Sequence, residues 1–292
     1  MHADEADIDE ELVRRLVGAR FPEWAALPVE LVESAGTSHA MYRLGADLVV
    51  RLPRRAGDVD EVRREHHWLL RLAAALPVPV PAPLGMGAPG EGYPYPWSVF
   101  RWLDGETPAV GRPLAEPALF AKDMAEFLTA LRAVDTSGAP VSYRGEPLAS
   151  RDANTRAAIA GLRGDVDGDA VTAAWDAALG AAAWQGPGVW LHGDLQPGNV
   201  LLDGGRLSAV IDFECMGTGD PAADLIAAWY LMDATARRAF RAALGPATDD
   251  AMWARGRGWA LSIALDELAY YRETNPRMAG TARHVIGQLT SG

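Results

Sequence analysis

The sequence predicts an α+β protein built as two lobes, the smaller one first. Strand-like runs cluster before residue 104, helical periodicity dominates after it, and one β-rich insertion interrupts the helices. The 292 residues suffice for one large domain or two smaller ones, and 49% of them are hydrophobic, which excludes a disordered chain. A formal net charge of −12 argues against a nucleic-acid partner, which would need a basic face. No apolar run approaches the roughly 18 residues needed to span a bilayer, so no membrane partner is expected. The charged N-terminus shows no signal peptide, and Cys215 is the single cysteine. A reducing, cytoplasmic setting is the expectation, with the chain a monomer or homodimer.

Ile8 to Ala19 reads as a helix, with Leu12, Leu16 and Ala19 at helical spacing and Pro22 ending it. Val29–Glu33, Ala40–Leu44 and Asp47–Leu52 read as strands, and Val59–Leu76 as a helix. Pro77–Pro96, rich in Pro and Gly, reads as loops and short edge strands. Trp97–Leu103 is a buried-strand candidate, and the domain boundary falls after it, giving lobes 1–103 and 104–292. Helices are expected over Glu116–Val134, Ser150–Leu162, Ala170–Ala183, Ala222–Met232, Thr235–Leu244, Asp249–Arg272 and Pro276–Leu289. In the β-rich insertion, Val189–Leu191 and Ala209–Phe213 are strand-like and Gly204-Gly205 marks a hairpin turn.

The chemistry concentrates in Leu191-His192-Gly193-Asp194-Leu195-Gln196-Pro197-Gly198-Asn199-Val200-Leu201-Leu202, followed by Val210-Ile211-Asp212-Phe213-Glu214. Apolar residues flank the polar ones, so the polar side chains fall at strand ends, where a rigid frame aims them. Asp194, Asn199 and Asp212 are oxygen donors of the kind that suits Mg²⁺, which takes one or two carboxylates and completes its shell with water and phosphate. There is no G-x-x-x-x-G-K-[ST] loop, which excludes a P-loop NTPase. Asp220 before Pro221 reads as a helix start, and Asp220 and Asp224 as structural.

The HGDLQPGN run with a downstream IDFE resembles the catalytic loop and metal-binding aspartate of protein kinases, and most of all the aminoglycoside phosphotransferase family, which includes macrolide phosphotransferases. That resemblance implies a bilobal protein-kinase-like fold, with an antiparallel sheet in a nucleotide-binding N-terminal lobe and a larger, mostly helical catalytic and substrate-binding lobe. It implies ATP or GTP as phosphate donor and Mg²⁺ as cofactor. It makes Asp194 the catalytic base or orienting group, with Asn199 beside it, and makes Asn199 and Asp212 the metal ligands. His192 would brace the loop.

The same resemblance calls for a cation on the third strand, paired to a glutamate on the next helix. Lysine is usual there, but Lys122 is the only lysine in the chain, so Arg51 takes the position, pointing away from the face of Val50 and Leu52. A guanidinium can serve as a bidentate phosphate donor. Glu65 is the expected partner, with Glu61 the second choice. Gly36, Thr37 and Ser38 fall where a phosphate-covering loop belongs. Phe100, Arg101 and Trp102 fall where the hinge would meet the purine. The adjacent pair His66-His67 diverges by about 100° on a helix, so it reads as structural and not as a chelate.

For the acceptor, Asp266 shares a helix face with Trp259 and Tyr270, and Glu267 lies beside that face. Carboxylates there would suit a cationic antibiotic; Asp152 is a further candidate. The expected partner is a small-molecule hydroxyl acceptor, aminoglycoside first. A macrolide, a metabolic alcohol of the choline, homoserine or sugar type, and a non-catalytic nucleotide-binding role are the alternatives.

Overall fold

The structure is a computed structural model that describes residues 6–32, 39–56 and 59–291, without the side chains of 59–61. The chain divides into two compact units, Met1–Asp104 with Ala209–Glu214, and Gly105–Ser208 with Cys215–Gly292.

The first unit is a five-stranded antiparallel sheet with helices α1 (Glu10–Arg20) and α2 (Val59–Ala73). Its strands are β1 (Val29–Leu31), β2 (His39–Leu44), β3 (Leu48–Pro53), β4 (Pro83–Gly87) and β5 (Trp97–Arg101), in the order β1-β2-β3-β5-β4. Strand alternation gives the sheet two different faces. Ala40, Tyr42, Leu44, Val50, Leu52, Trp97 and Val99 pack with Leu12, Val13, Leu16 and Val17 of α1 into one core. Arg51 faces the other way, opposite Met41 on β2 and Ser98 on β5, toward α2. Helix α1 starts two residues later than expected, because the Asp9 side chain accepts from the Leu12 amide at 2.7 Å and fixes the N-terminus there.

The second unit carries α3 (Pro117–Ala133), α4 (Asp152–Gly161), α5 (Gly168–Leu179), α6 (Ala227–Tyr230), α7 (Ala234–Leu244), α8 (Asp250–Tyr271) and α9 (Pro276–Thr290). Helix α3 packs on α7, and α8 on α9. Strand β6 (Val189–Leu191) pairs with β9 (Gly217–Gly219), and β7 (Val200–Asp203) with β8 (Arg206–Val210). The β7–β8 turn uses Gly204 at φ 55° and Gly205 at φ 81°, the left-handed pair that a two-residue hairpin needs.

Two further expected elements differ. Ala222–Met232 is not one helix but a 3₁₀ turn (Ala223–Ile226) followed by the short α6. The expected strand Ala209–Phe213 ends at Val210, because Asp212 adopts a left-handed φ of 63°, which no strand accommodates. The single linear boundary expected after Leu103 also gives no hint that Ala209–Glu214 groups with the first unit.

Asp220 and Arg255 form a buried bidentate pair, with Arg255 Nε 2.7 Å from Asp220 Oδ2 and Nη2 3.1 Å from Oδ1. Removing one partner strands a charge in the core. D220A should therefore lower stability by about 3–5 kcal/mol, read as the urea-unfolding free energy.

Candidate active site

The residues singled out in the sequence fall into two groups, one in each unit. In the second unit the polar loop leaves β6 at Leu191. Asp224, fully buried, accepts from the backbone amides of His192 (2.9 Å) and Gly193 (2.7 Å). Burial pushes the Asp224 carboxyl up, against the pull of His192 and of these two amides. Gly193 sits at φ 83°, and a Cβ there would come within 2.8 Å of the Cys215 carbonyl oxygen, so only glycine fits this bend. His192 is buried, and its Nδ1 faces the Asp194 amide at 3.2 Å, a bracing position.

The Asp194 carboxylate is held on both oxygens. Oδ2 accepts from Asn199 Nδ2 at 2.9 Å, and Oδ1 from Gln196 Nε2 at 3.0 Å. Asn199 Nδ2 also donates to the Asp194 carbonyl at 2.8 Å. Two oxygen acceptors on one side force the Asn199 NH₂ toward Asp194 and turn its carbonyl oxygen away, free to meet a cation. Arg144 Nη2 lies 3.9 Å from Asp194 Oδ1. Burial would favour loss of the Arg144 proton, but the Asp194 charge holds its pKa above the usual value.

In the first unit Arg51 is the hub. Its Nη1 lies 2.5 Å from Glu65 Oε1, and its Nη2 is 3.1 Å from Asp212 Oδ1 and 3.7 Å from Glu214 Oε2. The alternative partner, Glu61, has a side chain outside the described residues. Burial alone would weaken the Arg51 cation, but Glu65, Asp212 and Glu214 together hold its pKa above the usual value. Burial lifts the Glu65 carboxyl above its usual range, and the Arg51 guanidinium opposes that rise. His39 is pushed down to about 2 by burial and by Arg51, and its Nδ1 lies 3.3 Å from Arg51 Nη2, as a neutral acceptor would. The only lysine, Lys122, sits exposed on α3 beside Glu126.

Asp212 is placed by its neighbours. The Val210 amide donates to the Pro79 carbonyl at 3.1 Å, and the Glu214 carbonyl accepts from Arg64 at 3.3 Å. Between these anchors Asp212 holds its left-handed backbone, a conformation that costs energy outside glycine and that clusters at functional sites. Among the described residues, no group of three or more His, Cys, Asp or Glu could hold a metal.

The remaining candidates divide sharply. Gly36, Thr37 and Ser38 lie outside the described residues. Phe100 is buried, its ring 5.9 Å from that of His66. Arg101 is exposed and donates its amide to the Ala82 carbonyl at 3.2 Å. Trp102 donates its amide to Asp47 at 2.7 Å and its indole to Asp104 at 2.8 Å. His66 bonds Ser98 at 2.9 Å, in keeping with a structural role.

The acceptor candidates need correction. Trp259 is fully buried in the packing of α8 and presents no surface to a ligand. Asp152 is engaged by the Trp175 indole and by Arg156, each at 2.8 Å. Asp266 is paired with Arg151, and Tyr270 is exposed with its ring edge against Tyr271. Glu267 is the one that reaches Asp194's surroundings. Its Oε1 accepts from Gln196 at 2.6 Å and its Oε2 from the Tyr230 hydroxyl at 2.9 Å. Sequence reasoning missed Gln196, Tyr230, Arg144 and Glu214. Gln196 and Glu214 stood inside the quoted motifs and were open to being read as polar neighbours of Asp194 and Asp212; Tyr230 and Arg144 carried no pattern.

This chain is related to known proteins by fold and by family. It aligns with an aminoglycoside 2'-phosphotransferase solved with GDP at a TM-score of 0.74 and 17% identity, covering 97% of this chain and 99% of that one. It aligns with a macrolide 2'-phosphotransferase from Brachybacterium faecium at a TM-score of 0.64 and 21% identity, covering 97% and 98%. It also aligns with an aminoglycoside phosphotransferase solved with ADP at a TM-score of 0.63 and 17% identity, covering 97% of each chain. At these identities the likeness defines the fold, that of the kinase-like phosphotransferases. The family model described as "Phosphotransferase enzyme family" matches residues 32–259, and the chain belongs to that family. No curated protein matches the chain. Among the described residues no helix is long and apolar enough to cross a membrane.

Burial, and after it the Asp194 charge, push the Glu267 carboxyl up to about 7. A carboxyl raised in the folded state contributes stability that is full below its unfolded pKa and is lost as pH rises through the folded value. The urea midpoint of the wild type should therefore fall relative to that of E267Q between pH 5 and pH 8. Parallel midpoints across that range would contradict the shift.

Proposed function

We propose that this phosphotransferase moves the terminal phosphoryl group of ATP or GTP to a hydroxyl of a small molecule, an aminoglycoside-type antibiotic first. The observation that carries the proposal is the Asp194 carboxylate, fixed on both oxygens by amide donors in a loop that a buried aspartate holds by its backbone. A carboxylate so fixed suits the orientation of an acceptor hydroxyl and the receipt of its proton. The solved structures with GDP and ADP among the similar folds support a nucleotide donor.

In this reading Arg51, held by Glu65, steadies the donor phosphates in place of lysine. Asn199 and Asp212 are the residues that would hold Mg²⁺, as oxygen donors of the kind that ion takes. When bound, that ion neutralises charge on the phosphates. Phosphoryl transfer asks little covalent chemistry of the protein, so positioning and charge supply most of the rate.

A macrolide acceptor is the second reading, and a specific observation favours it. Asp266 and Asp152, the carboxylates expected to meet a polycation, are already paired to arginines. The decisive assay is phosphoryl transfer from Mg·ATP and Mg·GTP to aminoglycosides, macrolides and small amino alcohols, read as product mass. Silence across all three classes, with nucleotide bound, would overturn the antibiotic reading.

Two variants test the roles. D194N should lower kcat by about 10²–10⁴-fold while calorimetry still detects nucleotide binding. R51A should weaken nucleotide binding at least tenfold, and R51K should restore only part of it, because an ammonium lacks the guanidinium fork that meets Glu65 and Asp212 together.

A further inference from the structure

Gln196 Nε2 carries two hydrogens, and two carboxylates share them. Asp194 Oδ1 lies at 3.0 Å and Glu267 Oε1 at 2.6 Å. Glu267 is fixed in turn on its other oxygen by the Tyr230 hydroxyl at 2.9 Å. The amide plane of Gln196 therefore has one orientation, set from behind by Glu267, and that orientation sets one of the two bonds holding Asp194.

We propose that Glu267 is a positioning residue: acting through Gln196, it fixes the rotation of the Asp194 carboxylate for phosphoryl transfer. The inference rests on the phosphotransfer reading of Asp194 and replaces the expectation that Glu267 meets the acceptor directly.

The groups facing Glu267 are Gln196 and Asp194 on the loop after β6, Tyr230 on α6, and Arg144 on the segment before α4. Its neighbour on α8, Asp266, is turned to Arg151. With the Glu267 carboxyl pushed up to about 7, the side chain changes charge in the working range of the protein. A hydrogen bond to an ionised acceptor is about twice as strong as a neutral one. The clamp on Gln196 therefore tightens as pH rises through that value, and kcat should rise with it.

The test compares wild type, E267Q, E267A and Q196A across pH 6 to 8, on whichever acceptor the wild type phosphorylates. The isosteric E267Q keeps a bonded partner for Gln196 and for Tyr230, whereas E267A removes both. E267A and Q196A should each lose at least tenfold in kcat with little change in nucleotide KM, and the double variant should be no worse than either single one. E267Q should recover most of that loss at pH 6, and the ratio of wild-type to E267Q kcat should grow several-fold by pH 8. A ratio that stays flat, or an E267A kcat within about twofold of wild type, would overturn the proposal. A second readout needs no acceptor. In protein with ¹³C-labelled aspartate carboxyls, the Asp194 resonance, assigned with D194N, should show an inflection near pH 7 that E267Q abolishes. If that inflection is missing, the clamp is refuted. If it is present in an enzyme silent on every acceptor tried, the Gln196 clamp on Asp194 stands and the acceptor reading fails by itself.

Discussion

One buried carboxylate governs how the polar loop runs. Asp224 takes the amides of two successive residues, His192 and Gly193, which would otherwise be stranded donors in a dry interior. Pinning two consecutive peptides leaves the chain a single exit direction, and the left-handed Gly193 supplies the bend. Everything that defines Asp194 follows from that exit: the brace from His192, the amides of Asn199 and Gln196, and the nearby Arg144. The segment bearing Asp224 is held as firmly. The Asp220–Arg255 pair anchors it, and Arg132 donates to the Pro221 carbonyl at 2.9 Å.

Arginine in place of lysine changes the physics of the first unit. An ammonium is a point charge that loses its proton when burial is deep enough. A guanidinium keeps its charge and divides it over a planar fork. Arg51 uses both properties, meeting Glu65 with one nitrogen and Asp212 and Glu214 with another. His39 beside this fork is kept neutral by burial and by the Arg51 and Arg54 cations.

The fold was legible where periodicity and motif agree. Alternation around Val50, Arg51 and Leu52 revealed which side of the strand faces the charged cluster, and the HGDLQPGN run located the loop. What stayed hidden has physical causes. Strand β9 is Gly-Thr-Gly, which has no strand propensity; glycine is there for contact, since a Cβ on Gly219 would lie 2.2 Å from the Gly145 Cα. Helix α8 buries residues on every side, so its sequence carries no stripe to tell an inner face from an outer one. Trp259 was therefore assigned to a surface it does not have. Asp266 and Glu267 differ by a single step of about 100° on that helix, and that step decides which of them meets Arg151 and which meets Gln196.

The return of Ala209–Glu214 to the first unit has a consequence for how the protein is made. Arg51 and Asp212 are 161 residues apart in sequence yet bonded in one compact unit. During synthesis the sheet can form early, but Arg51 must wait for more than half of the second unit to be translated before its cluster is complete. Such long-range closure slows folding, and until it happens Arg51 has Glu65 for a partner but not Asp212 or Glu214. A fragment ending at Asp104 would hold the whole five-stranded sheet and lack Asp212, so the two units cannot be separated by one cut without dismantling the charged cluster.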